Sequence, residues 1–337
     1  MARSAHASPA THRREAATQD AVRWLDEYSA GVPLAAVLCD RHPPDQVAVT
    51  VTDAALAERD YTYGELRDAS ERVAALLEAL GVMPGDRVGV LLPKRIEHLI
   101  ALLAILRVGA VHVPLFTAFA APTVAQRLEH CEAKVVFTDA ANRDKVGDDG
   151  PVVVNVERPE HGVDFRRALA TGPAETHAAA YAGEDDFILL YTSGTTGYPG
   201  GVGVPVRALA AFRAFLEFGL DVRGDDVYWN AADPGWAYGL YYGLVAPLLV
   251  GRRTLLLNAP FDPALAWRVL ERFGVTNLAA APTVYRALRV HADDAPAVHV
   301  RVASSAGEPL NPDVIGWARS ALGAPVHDQY GRPSSAW

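Results

Sequence analysis

A stretch rich in hydroxyl residues and glycines is the part of this sequence best suited to chemistry. Residues 191–202 read Tyr-Thr-Ser-Gly-Thr-Thr-Gly-Tyr-Pro-Gly-Gly-Val. Backbone N–H groups and hydroxyls in such a loop can converge on one anion, and the glycines permit close approach. No Lys-Ser or Lys-Thr pair follows the glycines, so this is not a Walker A loop, and an ordinary surface turn is the alternative. We predict that phosphate is bound by Thr192, Ser193, Gly194, Thr195, Thr196 and Gly197.

A second stretch, residues 229–243, crowds aromatic residues and glycines around Asp233. The segment is too irregular for a simple helix or strand. Aromatic faces supply a large contact area at little entropic cost, and glycines let a ligand approach the backbone. The segment therefore predicts the wall of a pocket, and core packing with turns is the alternative.

The elements around these stretches alternate between helices and short apolar strands. Residues 187–191 predict a buried strand and residues 206–218 a helix, with the phosphate loop between them. Upstream, Thr62 and Glu65 form a capping box before a helix that ends at Gly81. A strand over 87–92, a helix over 95–108, a strand over 111–115 and a further helix–strand cycle over 123–138 follow. We predict an α/β fold of mainly parallel layered sheets flanked by helices.

Two segments break this alternation. Residues 1–20 show no apolar periodicity and predict a flexible tail, and neither a secretory signal nor a transit peptide fits them well. Residues 140–184 are polar and rich in Gly, Pro and Asp, so they predict a link between two α/β subdomains.

Composition excludes several classes of protein. The chain has 337 residues, 50% of them hydrophobic, with a net charge of −9, which argues against a nucleic-acid-binding protein. No apolar run is long enough for a membrane span. Cys39 and Cys131 cannot build a zinc site, and they favour a reducing, cytoplasmic location. The histidines His98, His112, His130 and His327 form no metal-binding pattern and predict packing or surface positions.

The stretch 191–202 resembles the signature loop of the AMP-forming acyl-CoA synthetases, which belong with acetyl-CoA synthetase-like enzymes to the adenylate-forming family. That family writes the loop as Ser/Thr-Gly-Thr/Ser-Thr-Gly-x-Pro-Lys-Gly, and Gly200 stands here in place of the lysine. The resemblance implies ATP, Mg²⁺ and CoA as cofactors and a small carboxylate and a nucleotide as partners. The missing cation implies slower turnover of ATP.

Three further blocks occur in the order found in that family. Residues 233–236 resemble its Asp-x-Gly-Trp segment, residues 281–283 its Pro-Thr turn, and residues 307–309 its Gly-Glu-Pro turn beside adenine. The resemblance implies an acyl pocket formed by Trp236, Ala237, Tyr238, Gly239, Ala306 and Gly331. It implies an adenine site formed by Gly307, Glu308, Pro309, Asp328 and Tyr330.

The last block departs from the family. Residues 326–331 match the start of a block that normally continues Tyr-Gly-x-Thr-Glu, but residues 332–337 supply neither Thr nor Glu. One deleted base in codons for Gly-Gln-Thr-Glu yields Gly-Arg-Pro-Ser, so we expect a frameshifted tail. We expect residues 21–331 to form a partial AMP-binding domain that lacks the family's C-terminal lid domain and its catalytic lysine. No catalytic residue and no metal ligand is assigned.

The resemblance implies activation of a carboxylic acid to acyl-AMP and transfer to CoA, impaired in this chain. Small Ala237 and Ala306, with Gly331 where acetate-specific relatives place tryptophan, imply acids from propionate to medium chain length. Two alternatives stay open: a decayed, non-catalytic nucleotide-binding protein, and an adenylation domain for amino or aryl acids. The sequence does not decide the oligomeric state.

Overall fold

The computed structural model of the protein describes residues 9–175, 178–192, 200–293 and 295–329. The strands are β1 (Val32–Pro33), β2 (Val47–Asp53), β3 (Glu58–Thr62), β4 (Arg87–Leu91), β5 (Val111–Pro114), β6 (Val135–Thr138), β7 (Val152–Asn155), β8 (Val163–Asp164), β9 (Ala180–Tyr181), β10 (Asp186–Thr192), β11 (Gly200–Pro205), β12 (Tyr228–Asn230), β13 (Thr254–Asn258), β14 (Asn277–Ala279), β15 (Val302–Ala306) and β16 (Val326–Gln329).

The helices are α1 (Pro9–Ser29), α2 (Tyr63–Ala79), α3 (Ile96–Arg107), α4 (Ala121–His130), α5 (Phe165–Thr171), α6 (Leu209–Ala214), α7 (Ala237–Leu240), α8 (Ala246–Val250), α9 (Pro263–Phe273), α10 (Pro282–Val290) and α11 (Pro312–Ala321). In the described part of the chain, no helix is both long enough and apolar enough to cross a membrane.

Two seven-stranded sheets dominate the fold, and β1 and β9 form a separate antiparallel pair. The first large sheet has the order β11-β10-β5-β4-β6-β7-β8, and all its neighbours are parallel except β10 and β11. The second has the order β16-β15-β14-β12-β13-β2-β3, with only β2 and β3 antiparallel. The predicted α/β class with mainly parallel sheets is confirmed.

Local signals explain where the predicted helices begin and end. Thr62 caps α2, its hydroxyl accepting from the Glu65 N–H while the Glu65 carboxylate accepts from the Thr62 N–H. Gly81 and Gly109 follow α2 and α3 with φ of +77° each, a conformation that favours glycine and stops a helix. Helix α3 is buried over nearly its whole length, because it packs against α2 as well as the first sheet.

The phosphate loop joins two antiparallel strands, so the prediction that it joins a strand to a helix is wrong. Strand β11 follows residues 193–199 and pairs back onto β10, with Thr192 opposite Gly200. The three glycines of β11 hide its strand character in the sequence, because glycine is depleted in strands. Pairing with β10 supplies the stabilisation that local propensity lacks.

The two segments that broke the alternation also contain regular structure. Helix α1 begins at Pro9, within residues 1–20, where no apolar periodicity had indicated a helix. It packs against α6 through Trp24 and Tyr28, a stripe too sparse to give a periodic signal. Within residues 140–184, β7 and β8 extend the first sheet, and α5 packs on α2.

Candidate functional site

The described residues of the predicted acyl pocket and adenine site lie at one edge of the second sheet. Strands β16, β15, β14 and β12 are consecutive neighbours in parallel, so the segments that follow them emerge on the same side. Asn230 pairs with Ala279, Ala279 with Ser304, and Ala306 with Gln329. In open parallel sheets, ligands bind at the carboxyl ends of the strands, and this edge is therefore the candidate site.

The segment after β12 carries four of the predicted acyl-pocket residues, Trp236, Ala237, Tyr238 and Gly239, and we call residues 231–239 the pocket turn. The Gly235 N–H donates to Asp233 Oδ1 at 2.7 Å. The Asn230 side chain closes the turn, accepting from the Ala232 N–H at 2.9 Å and donating to the Tyr238 carbonyl at 3.0 Å. A Cβ atom at Gly239 would collide with the Asp233 carbonyl oxygen, so the turn requires glycine there.

Tyr238 connects the pocket turn to β15. Its hydroxyl lies 3.3 Å from the Ser304 hydroxyl, past the end of the one intervening strand, β14. Burial raises the pKa of Tyr238, so the phenol stays neutral and acts as a hydrogen-bonding wall. Ala237 and Ala306 are both partly buried beside this contact.

Aromatic side chains from the first sheet meet the pocket turn. Trp236 is 38% exposed, and its ring centroid lies 5.4 Å from that of Phe116 and 5.5 Å from that of Phe119. Both phenylalanines follow the carboxyl end of β5. The backbone of Phe116 approaches Gly235 so closely that a Cβ atom there would lie 2.6 Å from the Phe116 Cα. The carboxyl edges of the two sheets therefore face each other across Trp236.

A lysine from the first sheet also reaches the pocket turn. Lys94 Nζ, just beyond β4, donates to the Ala231 carbonyl at 3.0 Å. Burial lowers the pKa of Lys94, and the nearby Asp233 carboxylate opposes that shift. Burial also raises the pKa of Asp233, while the hydrogen bond from the Gly235 N–H and the positive charge of Lys94 act to lower it. The pair places one positive and one negative group beneath the aromatic residues.

The described members of the predicted adenine site, Gly307, Glu308, Pro309 and Asp328, lie after β15 or on the neighbouring β16. Gly307 has a φ of +99°, which favours glycine, and the position of a Cβ atom there is open. Glu308 accepts a hydrogen bond from Arg286 of α10 at 2.9 Å, and Asp328 accepts one from the Leu310 N–H at 3.4 Å. Pro309 leads to α11, which begins at Pro312, and Asn311 makes no capping bond through its side chain.

The phosphate loop is only partly described. Thr192 ends β10 at the carboxyl edge of the first sheet, the same edge that carries Lys94 and Phe116. The predicted phosphate-binding residues Ser193, Gly194, Thr195, Thr196 and Gly197 lie outside the described residues, as do Tyr330, Gly331 and the predicted tail 332–337. Gly200 is exposed, and a Cβ atom there would lie 3.6 Å from Thr192 Oγ1, an ordinary contact.

The histidines and cysteines occupy packing or surface positions, and His327 is exposed on β16, where it pairs with Ser304. Cys39 and Cys131 are free and buried. His98 and His112 are buried, and His130 Nδ1 lies 2.8 Å from the Tyr191 hydroxyl. Among the described residues, no group of three His, Cys, Asp or Glu side chains is arranged to hold a metal ion.

Comparison with known proteins identifies the family. The sequence profile of the family "AMP-binding enzyme" matches residues 37–332. The chain belongs to this family. Acetyl-coenzyme A synthetase from Bacillus subtilis is 33% identical over 308 residues, which cover 86% of this chain and 54% of that protein. Acetyl-coenzyme A synthetase from Streptomyces coelicolor is 31% identical over 347 residues, which cover 91% of this chain and 53% of that protein.

A solved structure agrees with the fold of this AMP-binding family member. The crystal structure of Brucella canis acyl-CoA synthetase superposes with a TM-score of 0.84 at 39% sequence identity, over 90% of this chain and 58% of that one. The resemblance to acetyl- and acyl-CoA synthetases drawn from the motifs is therefore confirmed. The chain spans about half the length of the curated relatives it matches.

Sequence reasoning missed three residues of this candidate site. Lys94, Phe116 and Phe119 belong to the first sheet, more than a hundred residues before the pocket turn. None of these three residues belongs to a recognisable sequence motif. The position of Lys94 just after a predicted strand, at the predicted carboxyl edge of the sheet, was the available signal.

Proposed function

We propose that residues 21–331 form the nucleotide- and acid-binding body of an ATP-dependent acyl-CoA synthetase. The observation that carries this proposal is the contact between Tyr238 and Ser304, because it joins the pocket turn to the strand that ends in the Gly-Glu-Pro turn. Acid and nucleotide sites would thus share one edge. The curated relatives are named as acetyl-CoA synthetases, which supports the same reaction class.

In the proposed reaction, a carboxylate oxygen attacks the α-phosphorus of ATP, and pyrophosphate leaves. The acyl-AMP then reacts with the CoA thiol to give the thioester and AMP. Adenylation requires the carboxylate to be held in line with the phosphate and the developing charge to be stabilised. We propose that Trp236, Ala237, Tyr238, Gly239, Ala306 and Gly331 hold the acid. We propose that Gly307, Glu308, Pro309, Asp328 and Tyr330 hold the adenine.

We propose that the phosphates are held by Thr192, Ser193, Gly194, Thr195, Thr196 and Gly197. Mg²⁺ binds proteins mainly through substrate phosphates and one or two carboxylates, so a preformed cage is not required. We propose that Mg²⁺ is bound together with the phosphates of ATP. When bound, it would neutralise charge on the phosphates.

The acid is proposed to range from propionate to medium chain length. Ala237 and Ala306 leave room that larger side chains would fill, and they lie partly exposed beside the Tyr238–Ser304 contact. The tyrosine ring limits the depth of that space. Strict preference for acetate would contradict this part of the proposal.

A nucleotide-binding protein without turnover is the second candidate, and Gly200 favours it. The position is exposed beside Thr192 and lacks the cation that the family places there. Both candidates predict binding of ATP, but only the synthetase predicts acid-dependent release of pyrophosphate.

Two parallel measurements on the full chain separate the candidates. Calorimetry measures binding of ATP, and a coupled assay measures pyrophosphate released with acetate, propionate, butyrate, hexanoate and octanoate. Acid-dependent release, largest beyond acetate, supports the synthetase. ATP binding without release supports the second candidate, and absence of ATP binding overturns both.

A further inference from the structure

A row of four side chains runs from the pocket turn to the start of the phosphate loop. Trp236 contacts Phe119, with ring centroids 5.5 Å apart. The Arg127 guanidinium carbon lies 4.4 Å from the Phe119 ring centroid and 5.7 Å from that of Tyr191. Tyr191 directly precedes Thr192. We call Trp236, Phe119, Arg127 and Tyr191 the bridging row.

Arg127 is a buried cation without a matching anion. It projects from α4 and is 8% exposed. NH1 donates to the Thr123 carbonyl at 3.0 Å, while Nε is buried with no acceptor in the described part of the chain. Among the described residues, no carboxylate lies within ion-pair distance of Arg127, although other buried or partly buried arginines such as Arg107 and Arg301 have such partners. Burying a charge in this way is costly unless an anion completes the site.

The surroundings hold this guanidinium in place. Phe119 and Tyr191 both lie within cation–π distance of it, which restricts its orientation without using its N–H donors. Tyr191 is itself fixed, because its hydroxyl lies 2.8 Å from His130 Nδ1 on the same helix, α4. A planar guanidinium held in this manner matches the geometry of phosphate oxygens.

We propose that Arg127 is a phosphate-recognising residue, which binds a phosphate group of a nucleotide entering between Trp236 and Thr192. This inference rests on the proposed function. It assigns to α4 a positive charge that compensates for the lysine that Gly200 replaces. Two ligands carry the required chemistry: the polyphosphate of ATP and the diphosphate of CoA. Burial lowers the pKa of Arg127, which is the electrostatic cost that a bound anion would relieve.

Calorimetry on the full chain and its variants tests the assignment, with inorganic pyrophosphate, ATP and CoA as separate titrants. Arg127→Gln removes the charge, and Arg127→Met keeps an apolar stem between the rings if the glutamine variant does not fold. Arg59→Gln is the matched control, because Arg59 also stacks on a tyrosine, 4.3 Å from the Tyr61 centroid, but on β3 at the far side of the second sheet.

Loss of a charge-assisted contact should weaken binding by about 10- to 100-fold. We expect this loss in the Arg127 variants and binding within about twofold of the wild type in Arg59→Gln. Weaker binding of both ATP and pyrophosphate identifies the polyphosphate as the ligand. Weaker binding of CoA alone identifies the CoA diphosphate. Either result supports the inference. Unchanged binding of all three in a folded Arg127 variant overturns it while leaving the proposed function standing. A wild-type chain that binds none of them overturns both.

Discussion

The ammonium group of Lys94 donates a hydrogen bond to the Ala231 carbonyl oxygen at 3.0 Å, and it thereby ties the carboxyl edge of one large sheet to that of the other. The contact spans 137 residues of sequence. It fixes the first residue of the pocket turn, while Asn230 fixes the interior of the turn from within its own sheet. The geometry of the acid site therefore depends on both sheets.

Replacement of this lysine should destabilise the protein. Lys94→Met leaves the Ala231 carbonyl without its charged donor, and we expect the free energy of unfolding to fall by about 1–3 kcal/mol. Urea denaturation at pH 7 measures the loss. Lys134→Met is the control, because Lys134 pairs with Asp86 at the surface, 3.1 Å away, where ion pairs contribute at most about 1 kcal/mol. Equal decreases in the free energy of unfolding in the two variants would show that the Lys94 contact stabilises the protein no more than a surface ion pair does.

Restoring a cation beside the phosphate loop should strengthen nucleotide binding. The site of Gly200 accepts a side chain without a clash, so Gly200→Lys should tighten ATP binding about tenfold through one charge-assisted contact. Calorimetry with ATP measures the change.

Gly201→Lys provides the control for this prediction. Successive residues of a strand point to opposite faces, so this lysine leaves the face shared by Thr192 and Gly200. A Cβ atom at Gly201 would lie 3.2 Å from Leu189 Cδ1, a contact that a flexible leucine can relieve. If both lysines tighten ATP binding equally, the effect is one of net charge, and the assignment of position 200 is wrong.

The parts of the fold that the sequence predicted are those that local signals encode. The Thr62 capping box, Gly81 and Gly109 set helix ends through contacts within a few residues. Strand β11 was missed because a glycine-rich strand exists only through its pairing with β10. Helix α1 was missed because its buried contacts, through Trp24 and Tyr28, are few.

The same distinction applies to the candidate site. Motifs on β12, β15 and β16 were recognisable in the sequence, and the strand order then brings them to one edge. Lys94 and Phe116 carry no motif, since their importance comes from an approach between two sheets. Such an approach is a property of tertiary packing, which residue spacing does not record.

Removing the Tyr238 ring should extend the range of acids. Tyr238→Ala opens space next to Ala237 and Ala306, so each methylene added to the acid should tighten binding about fourfold until the new space is filled. Calorimetry with butyrate, hexanoate and octanoate in the presence of ATP measures the trend.

Tyr238→Phe is the matched control for pocket depth. It removes only the hydroxyl that lies 3.3 Å from Ser304 Oγ, at a cost of about 0.5–1.5 kcal/mol in stability. The order of acid preference should stay as in the wild type. A similar gain for long acids in the phenylalanine variant, or none in the alanine variant, would remove Tyr238 from the pocket wall.

Acid should destabilise the protein through a buried histidine pair between α3 and the first sheet. His98 of α3 and His112 of β5 lie with ring centroids 5.8 Å apart, and both nitrogens of His112 and Nε2 of His98 are buried without hydrogen-bond partners among the described residues. Burial lowers the pKa of His98 from 6.5 to about 4, and it lowers that of His112 in the same direction. Between these pKa values, the unfolded chain binds a proton that the folded chain does not.

The free energy of unfolding should therefore fall as the pH drops from about 6.5 to about 4, with His98 contributing up to about 3 kcal/mol. Urea denaturation across this range should give a flatter pH dependence for His98→Gln than for the wild type. His291→Gln changes an exposed histidine and should leave the curve unaltered. A buried, neutral His98 predicts that the two stability curves differ between about pH 6.5 and 4. If the free energies of unfolding of the wild type and His98→Gln instead fall in parallel over this range, other groups cause the acid sensitivity.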